Sequence, residues 1–288
     1  MSETHENLDS PPPKRASTRF LKRFILPSDR HTFVARIYEL GIVSMHFDTY
    51  EDLAKHPDCK YAFDTNSYLK ALTYRVESLN MVGGMLWPDP VPKSFNEFPV
   101  SRYEWLVVAT DVFLMRYNSV IDCALQLSNQ ILELGLPVKE CRLKHMKPLI
   151  SADLSDHLRA MLKAQEDLRS ERNIRIHEGQ ERAFTDDDFT FKLASLWTDG
   201  GPGMTGHDRY GRKINIDRSF KEGLVTLQRD FNRSTRLLIK QLDQFYDLIW
   251  DEFEDRFRPR FAAANHGLNG NGGSVSAPDS LASGTGST

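Results

Sequence analysis

Cysteine is scarce. The three present, Cys59, Cys123 and Cys141, include no close-spaced pair, which excludes a disulfide framework and a cysteine-based zinc site and fits a reducing cytoplasm. An excess of charge of one sign is missing too. Thirty-seven Lys and Arg stand against 40 Asp and Glu, a net charge of -3, so bulk charge does not hold this chain on nucleic acid and any polyanion contact must be local. No window approaches the roughly 20 uninterrupted apolar residues needed to cross a bilayer. Mean hydropathy is -0.47, and no membrane contact is expected. His31, His46, His56, His145 and His157 form no HxxxH or HExxH pair, so neither a metal nor another cofactor is expected. Sustained apolar and polar alternation is also rare. VSMHF at 43–47 and RFILP at 23–27 are the only weak strand candidates.

What the chain does have is length, with 288 residues and 40% hydrophobic content, enough for a large core. Helix punctuation recurs along it. Ser28 after Pro27 reads as the cap of a helix that stops at Gly41, and Asp48 with Glu51 starts a short one. Asp64 or Thr65 opens a helix ending at Gly83 and Gly84. Four prolines then break regular structure over the stretch 85–99. Ser101 and Glu104 form a capping box for a run to Leu134, whose Trp105, Val107, Val108, Val112 and Met115 place apolar groups all round it, as in a central helix. A helix over 152–177 ends at Gly179, another starts in the acids Asp186, Asp187 and Asp188, and a last one spans 217–258 with an apolar stripe at helical spacing.

The fold expected is therefore all-α, an antiparallel helical bundle with an N-terminal helical lobe and disordered termini. Its divisions are a polar, Pro-rich disordered arm at 1–18, the N-terminal lobe at 19–84, the Pro-rich linker at 85–99, the bundle at 100–260 and a Gly/Ser-rich tail at 261–288.

One constellation carries chemistry: Arg172, Asn173 and His177, followed by Glu178 and Gly179. At about 100° per residue, Asn173 and His177 share a helix face while Arg172 lies about 140° from His177. A two-fold copy of the helix would bring a second Arg and His opposite the first. Arg172 is a fixed cation, His177 exchanges a proton near neutral pH, and Asn173 both donates and accepts. That set suits RNA cleavage by its own 2′-hydroxyl without a metal.

The Arg-Asn-x-x-x-His-Glu-Gly run late in a helix of an all-α bundle resembles the HEPN superfamily. Chance gives an Arg-x4-His pair about 0.7 times in a chain of this composition, and requiring Asn after the Arg lowers that to about 0.03. The resemblance implies a homodimeric, metal-independent endoribonuclease in defence or toxin-antitoxin roles, with Arg172 and His177 catalytic and Asn173 supporting them. An antitoxin or nucleotidyltransferase partner belongs to the same implication. The alternative is a catalytically inactive HEPN-like module for binding or dimerisation.

Further candidates for RNA contact are the basic run Lys139, Arg142, Lys144 and Lys147, with Arg175 on the motif helix and Arg209 and Tyr210 in the Gly-rich stretch 198–213. Phosphate attraction and base stacking are the functional readings, solvated connectors the structural ones. Asp122, Arg116 and Glu166 are candidates for orienting the Arg or His, or for ordinary ion pairs and surface charge.

Overall fold

A computed structural model describes residues 13–199, 203–264 and 268. The fold is all-α, with nine α-helices and no strand among the described residues. They are α1 (Thr32–Gly41), α2 (Tyr50–Ala54), α3 (Pro57–Leu86), α4 (Arg102–Ile131), α5 (Leu143–Met146), α6 (Ala152–Ala164), α7 (Glu166–Glu178), α8 (Asp188–Asp199) and α9 (Ile216–Ala263). Residues 1–12 of the expected arm and most of the expected tail lie outside the described residues. Residues 261–263, expected in the tail, complete α9, which runs through Pro259.

α4 and α9 each run antiparallel to α3, and so parallel to one another, with Phe113 against Phe231 and the Tyr117 hydroxyl on the Ser234 carbonyl; polar ties at both ends fix these directions. The Trp105 indole N–H donates to the Met85 carbonyl and the Tyr61 hydroxyl to that of Ile131, so α4 runs back along α3. In α9, Gln228 donates to the Leu86 carbonyl while Phe253 stacks on Tyr61, setting α9 antiparallel to α3 as well. Between them sits a core in which Phe231 meets Trp87 edge-on and Phe113 at 5.5 Å.

The Ser101 box forms as its sequence implies: the hydroxyl accepts from Glu104 N–H and the Glu104 carboxylate accepts from Ser101 N–H at 2.7 Å. Gly83 and Gly84 do not stop α3. Gly83 instead leaves room for the Arg23 side chain, which a Cβ there would strike. The expected helix over 152–177 is two helices, broken at Gln165, whose buried amide donates to the Tyr117 carbonyl at 3.4 Å.

Neither weak strand candidate forms a strand. Residues 42–46 make a 3-10 turn. The 20–27 segment is an extended strap whose backbone groups pair with side-chain amides: Asn80 takes both the N–H and C=O of Leu26, Asn232 takes Phe24 N–H and Lys22 C=O, and Gln228 takes Leu21 N–H. These amides satisfy the donors and acceptors that a neighbouring strand would have taken.

The stretch 85–99 is not a spacer between separate bodies. Phe95 is buried against Phe220 and Trp105, with the Arg102 guanidinium over its ring at 4.7 Å. One continuous set of buried residues, from Leu26 to Phe257, joins the 19–84 and 100–260 stretches. The central helix is apolar all round in sequence, yet Val108 and Met115 remain 42% and 51% exposed, on a side that the bundle does not cover. Phe231→Ala should therefore cost about 3–5 kcal/mol and lower a single unfolding transition in denaturant, because its cavity opens where α3, α4 and α9 meet.

Candidate functional site

α7 carries the Arg172, Asn173 and His177 constellation, and no residue of this helix is buried. It ends as the sequence indicates, with Gly179 in the left-handed region at φ 66°, a conformation that glycine adopts without strain. His177 is the penultimate helical residue, exposed, and its ring has no hydrogen-bond partner among the described residues. Arg172 is half-buried, and its Nε and Nη2 donate to the neighbouring Asn173 Oδ1 at 3.3 and 2.9 Å. Asn173 thus orients the guanidinium. Within one chain, Arg172 and His177 do not meet in a common hydrogen-bonded cluster.

The helix is clipped to α4 by polar contacts. Arg175 donates through Nε to Asp111 Oδ1 at 2.8 Å, its Nη2 lies 2.7 Å from the same oxygen and donates to the Val107 carbonyl at 3.5 Å, and its side chain is only 6% exposed. Nη1 of the same group is buried without a partner. Arg169 pairs with Asp122 at 3.4 Å, and Arg182 bridges Glu171 on α7 and Asp230 on α9. Arg175 is therefore not the outward phosphate-facing cation expected from sequence. Asp122 holds Arg169, not Arg172 or His177, and Glu166 is exposed.

A cleft of about 310 Å³ opens between the two helices, with Val107, Leu114 and Met115 on one wall and Arg172, Arg175 and Ile176 on the other. Asp111, Gly179 and Glu181 complete its rim. Ile176 is 61% exposed and shares the cleft lining with Met115, 51% exposed, so apolar groups flank two cations. Asp111 was not among the residues picked out from the sequence. Its signal was there, since it is the one charged residue between Glu104 and Arg116 in an otherwise apolar run.

The other candidates divide. Lys139, Arg142, Lys144 and Lys147 are all exposed and make no ion pair among the described residues. They follow the C-terminal end of α4, whereas Arg175 and Gly179 lie beside its first turns, so the basic run is not part of the α7 cleft. Tyr210 is already flanked by this chain's own cations, with Arg209 and Arg212 at 4.8 and 4.7 Å from its ring centre. Those guanidiniums are in turn held by the Asp186 carbonyl and by the Asp208 carboxylate. The loop is thus a folded cluster in which both cations near Tyr210 already have partners in this chain. Cysteine chemistry has no place here either: burial pushes the Cys59 and Cys141 thiols up to about 11, away from the reactive thiolate.

Compared with known proteins, the chain matches no family model, no curated protein and no solved structure.

Asp111→Ala should cost about 1–3 kcal/mol, because it strands a largely buried guanidinium, whereas Asn173→Ala should stay within about 0.5 kcal/mol. Urea unfolding reads both, and amide exchange along α7 should quicken in the first variant only.

Asp187 and Asp208 titrate below the usual carboxylate range. Burial alone would raise both, but hydrogen bonds outweigh it, from Arg209 and Thr190 to Asp187 and from Arg212 and Tyr210 to Asp208. A carboxylate with a lowered folded value stabilises the fold above its unfolded value, near 4, and loses that contribution as pH falls through the folded one. Amides of the loop around Tyr210 should therefore lose protection below about pH 4 while those of α4 keep it. Asp208→Asn should flatten this response.

Proposed function

We propose that the chain is a HEPN-type endoribonuclease that acts as a homodimer and needs no metal. One observation carries this reading: an arginine and a histidine without a hydrogen-bond partner among the described residues stand on the last two turns of a helix with no buried residue, whose exposed Ile176 shares a cleft with exposed Met115. The two side chains diverge by about 140° round one helix, so a single chain cannot aim both at one phosphate. A two-fold copy packed on Met115 and Ile176 supplies the missing Arg and His, since an isologous contact brings each group opposite its mate.

In that shared cleft the 2′-oxygen of a ribose attacks the adjacent phosphorus while His177 takes the hydroxyl proton. The P–O5′ bond breaks, leaving a 2′,3′-cyclic phosphate and a 5′-hydroxyl, and the partner's His177 supplies the proton to the leaving oxygen. Arg172, oriented by Asn173, neutralises the charge that builds on the phosphoryl oxygens. The exposed Lys139, Arg142, Lys144 and Lys147 extend the path of the RNA backbone beyond the cleft. Because an unchecked ribonuclease degrades its own cell's RNA, the proposal includes a neutralising partner, an antitoxin or a nucleotidyltransferase, and a cytoplasmic setting in defence.

Arg172→Ala and His177→Ala should each lower cleavage of mixed RNA in EDTA by about 100-fold or more, without shifting the melting temperature. Undiminished cleavage by both variants would end the assignment. A protein that forms the dimer yet never cleaves RNA would instead be a dimerisation module carrying the same residues without turnover.

A further inference from the structure

The cleft between α4 and α7 has more structure than a phosphate alone requires. Its volume of about 310 Å³ lies at the lower end for ligand pockets, which suits one base and part of its sugar. Val107, Leu114, Met115 and Ile176 give it apolar walls for the faces of a flat ring. Two carboxylates stand on its rim, of which Glu181 already accepts from the Tyr103 hydroxyl at 2.9 Å. Asp111 spends Oδ1 on Arg175, while its Oδ2 accepts no hydrogen bond among the described residues and the side chain is 45% exposed. The half-buried Arg172 guanidinium lines the cleft with it, whereas the unpartnered Nη1 of Arg175 is buried.

We propose that this cleft is a subsite for a guanine base next to the scissile phosphate. The inference rests on the ribonuclease reading and adds to it the base that the site selects. Guanine alone places two adjacent N–H donors, N1 and N2, beside the acceptors O6 and N7. The donors match the Asp111 carboxylate, whose Oδ2 is open, and Arg172 is left for the phosphate. An unstacked base read on its edges between side chains is the usual mode for single-stranded RNA. Uracil presents a single N–H between two carbonyl oxygens, which the carboxylate repels. Since the cleft adjoins Arg172, a base seated there brings its own 3′-phosphate to that guanidinium.

The test uses full-length His177→Ala protein and the four nucleoside 3′-monophosphates, titrated one at a time by calorimetry. All four carry the same phosphate, so only the base differs. Guanosine 3′-monophosphate should bind about tenfold tighter than the uridine compound. Asp111→Asn should bring the two within about threefold. Met115→Ala, which leaves the Asp111 and Arg175 pair intact, should weaken guanosine binding without lowering the melting temperature. Equal affinities for all four, no binding of any, or a guanosine preference that survives Asp111→Asn would overturn the subsite. A guanosine preference in a protein that never cleaves RNA upholds the subsite and removes the ribonuclease; cleavage with no base preference does the reverse.

Discussion

The ion pair between Asp111 and Arg175 is the contact on which the candidate site depends. α7 buries none of its residues fully, and Leu168 is its one apolar side chain packed partly buried against the core among the described residues, so the hydrophobic effect that holds α3, α4 and α9 together does less for it. Its place on the bundle is set by polar ties, and the one at Arg175 is the most enclosed, with 6% of the side chain exposed. A pair of this kind contributes little net stability when formed and costs much when halved. Its effect is positional. It fixes the register of α7 against α4, and with it the separation between the apolar wall and the Arg172 guanidinium.

α4 consequently serves two purposes. One side, through Leu106, Phe113, Tyr117, Val120 and Ala124, is packed in the core. The other leaves Val108 and Met115 in solvent, where a buried helix would have its next neighbour. Exposed apolar groups of this size are ordinary singly, but Met115 sharing a cleft with Ile176 and two arginines marks a surface for interaction.

The fold class was legible because helix caps and apolar periodicity are local properties. Ser101 with Glu104 and the glycine after Glu178 behaved as their neighbours in sequence dictate. Two departures are local, since His31 and not Ser28 caps α1 and α3 opens at Pro57, ahead of Asp64; others arise where a distant residue decides the outcome. Gly83 looks like a stop until the Arg23 side chain is placed against it, and nothing near Gln165 indicates that a break there meets the Tyr117 carbonyl. The site followed the same pattern. Spacing alone picks out Arg172, Asn173 and His177, whereas the carboxylate that holds Arg175 is 64 residues away and invisible in its neighbourhood. Tyr210 and Arg209 look like a stacking site along the chain, yet folding sets the Arg209 guanidinium on the Asp186 carbonyl and Arg212 on the Asp208 carboxylate. Charge inventories read along a chain overestimate free cations wherever folding supplies the counter-charge.

The strap at 20–27 ties the two ends of the folded chain through side-chain amides, with Leu21 and Gln228 separated by 207 positions and Phe24 and Asn232 by 208. On a ribosome, that early segment emerges long before its clasp on α9 has been translated. Closing so long a loop is entropically costly, and such non-local pairing slows assembly. The belt is therefore fastened only after synthesis has passed Asn232, and nascent chains short of that point carry a loose leading segment and an uncovered flank on α3.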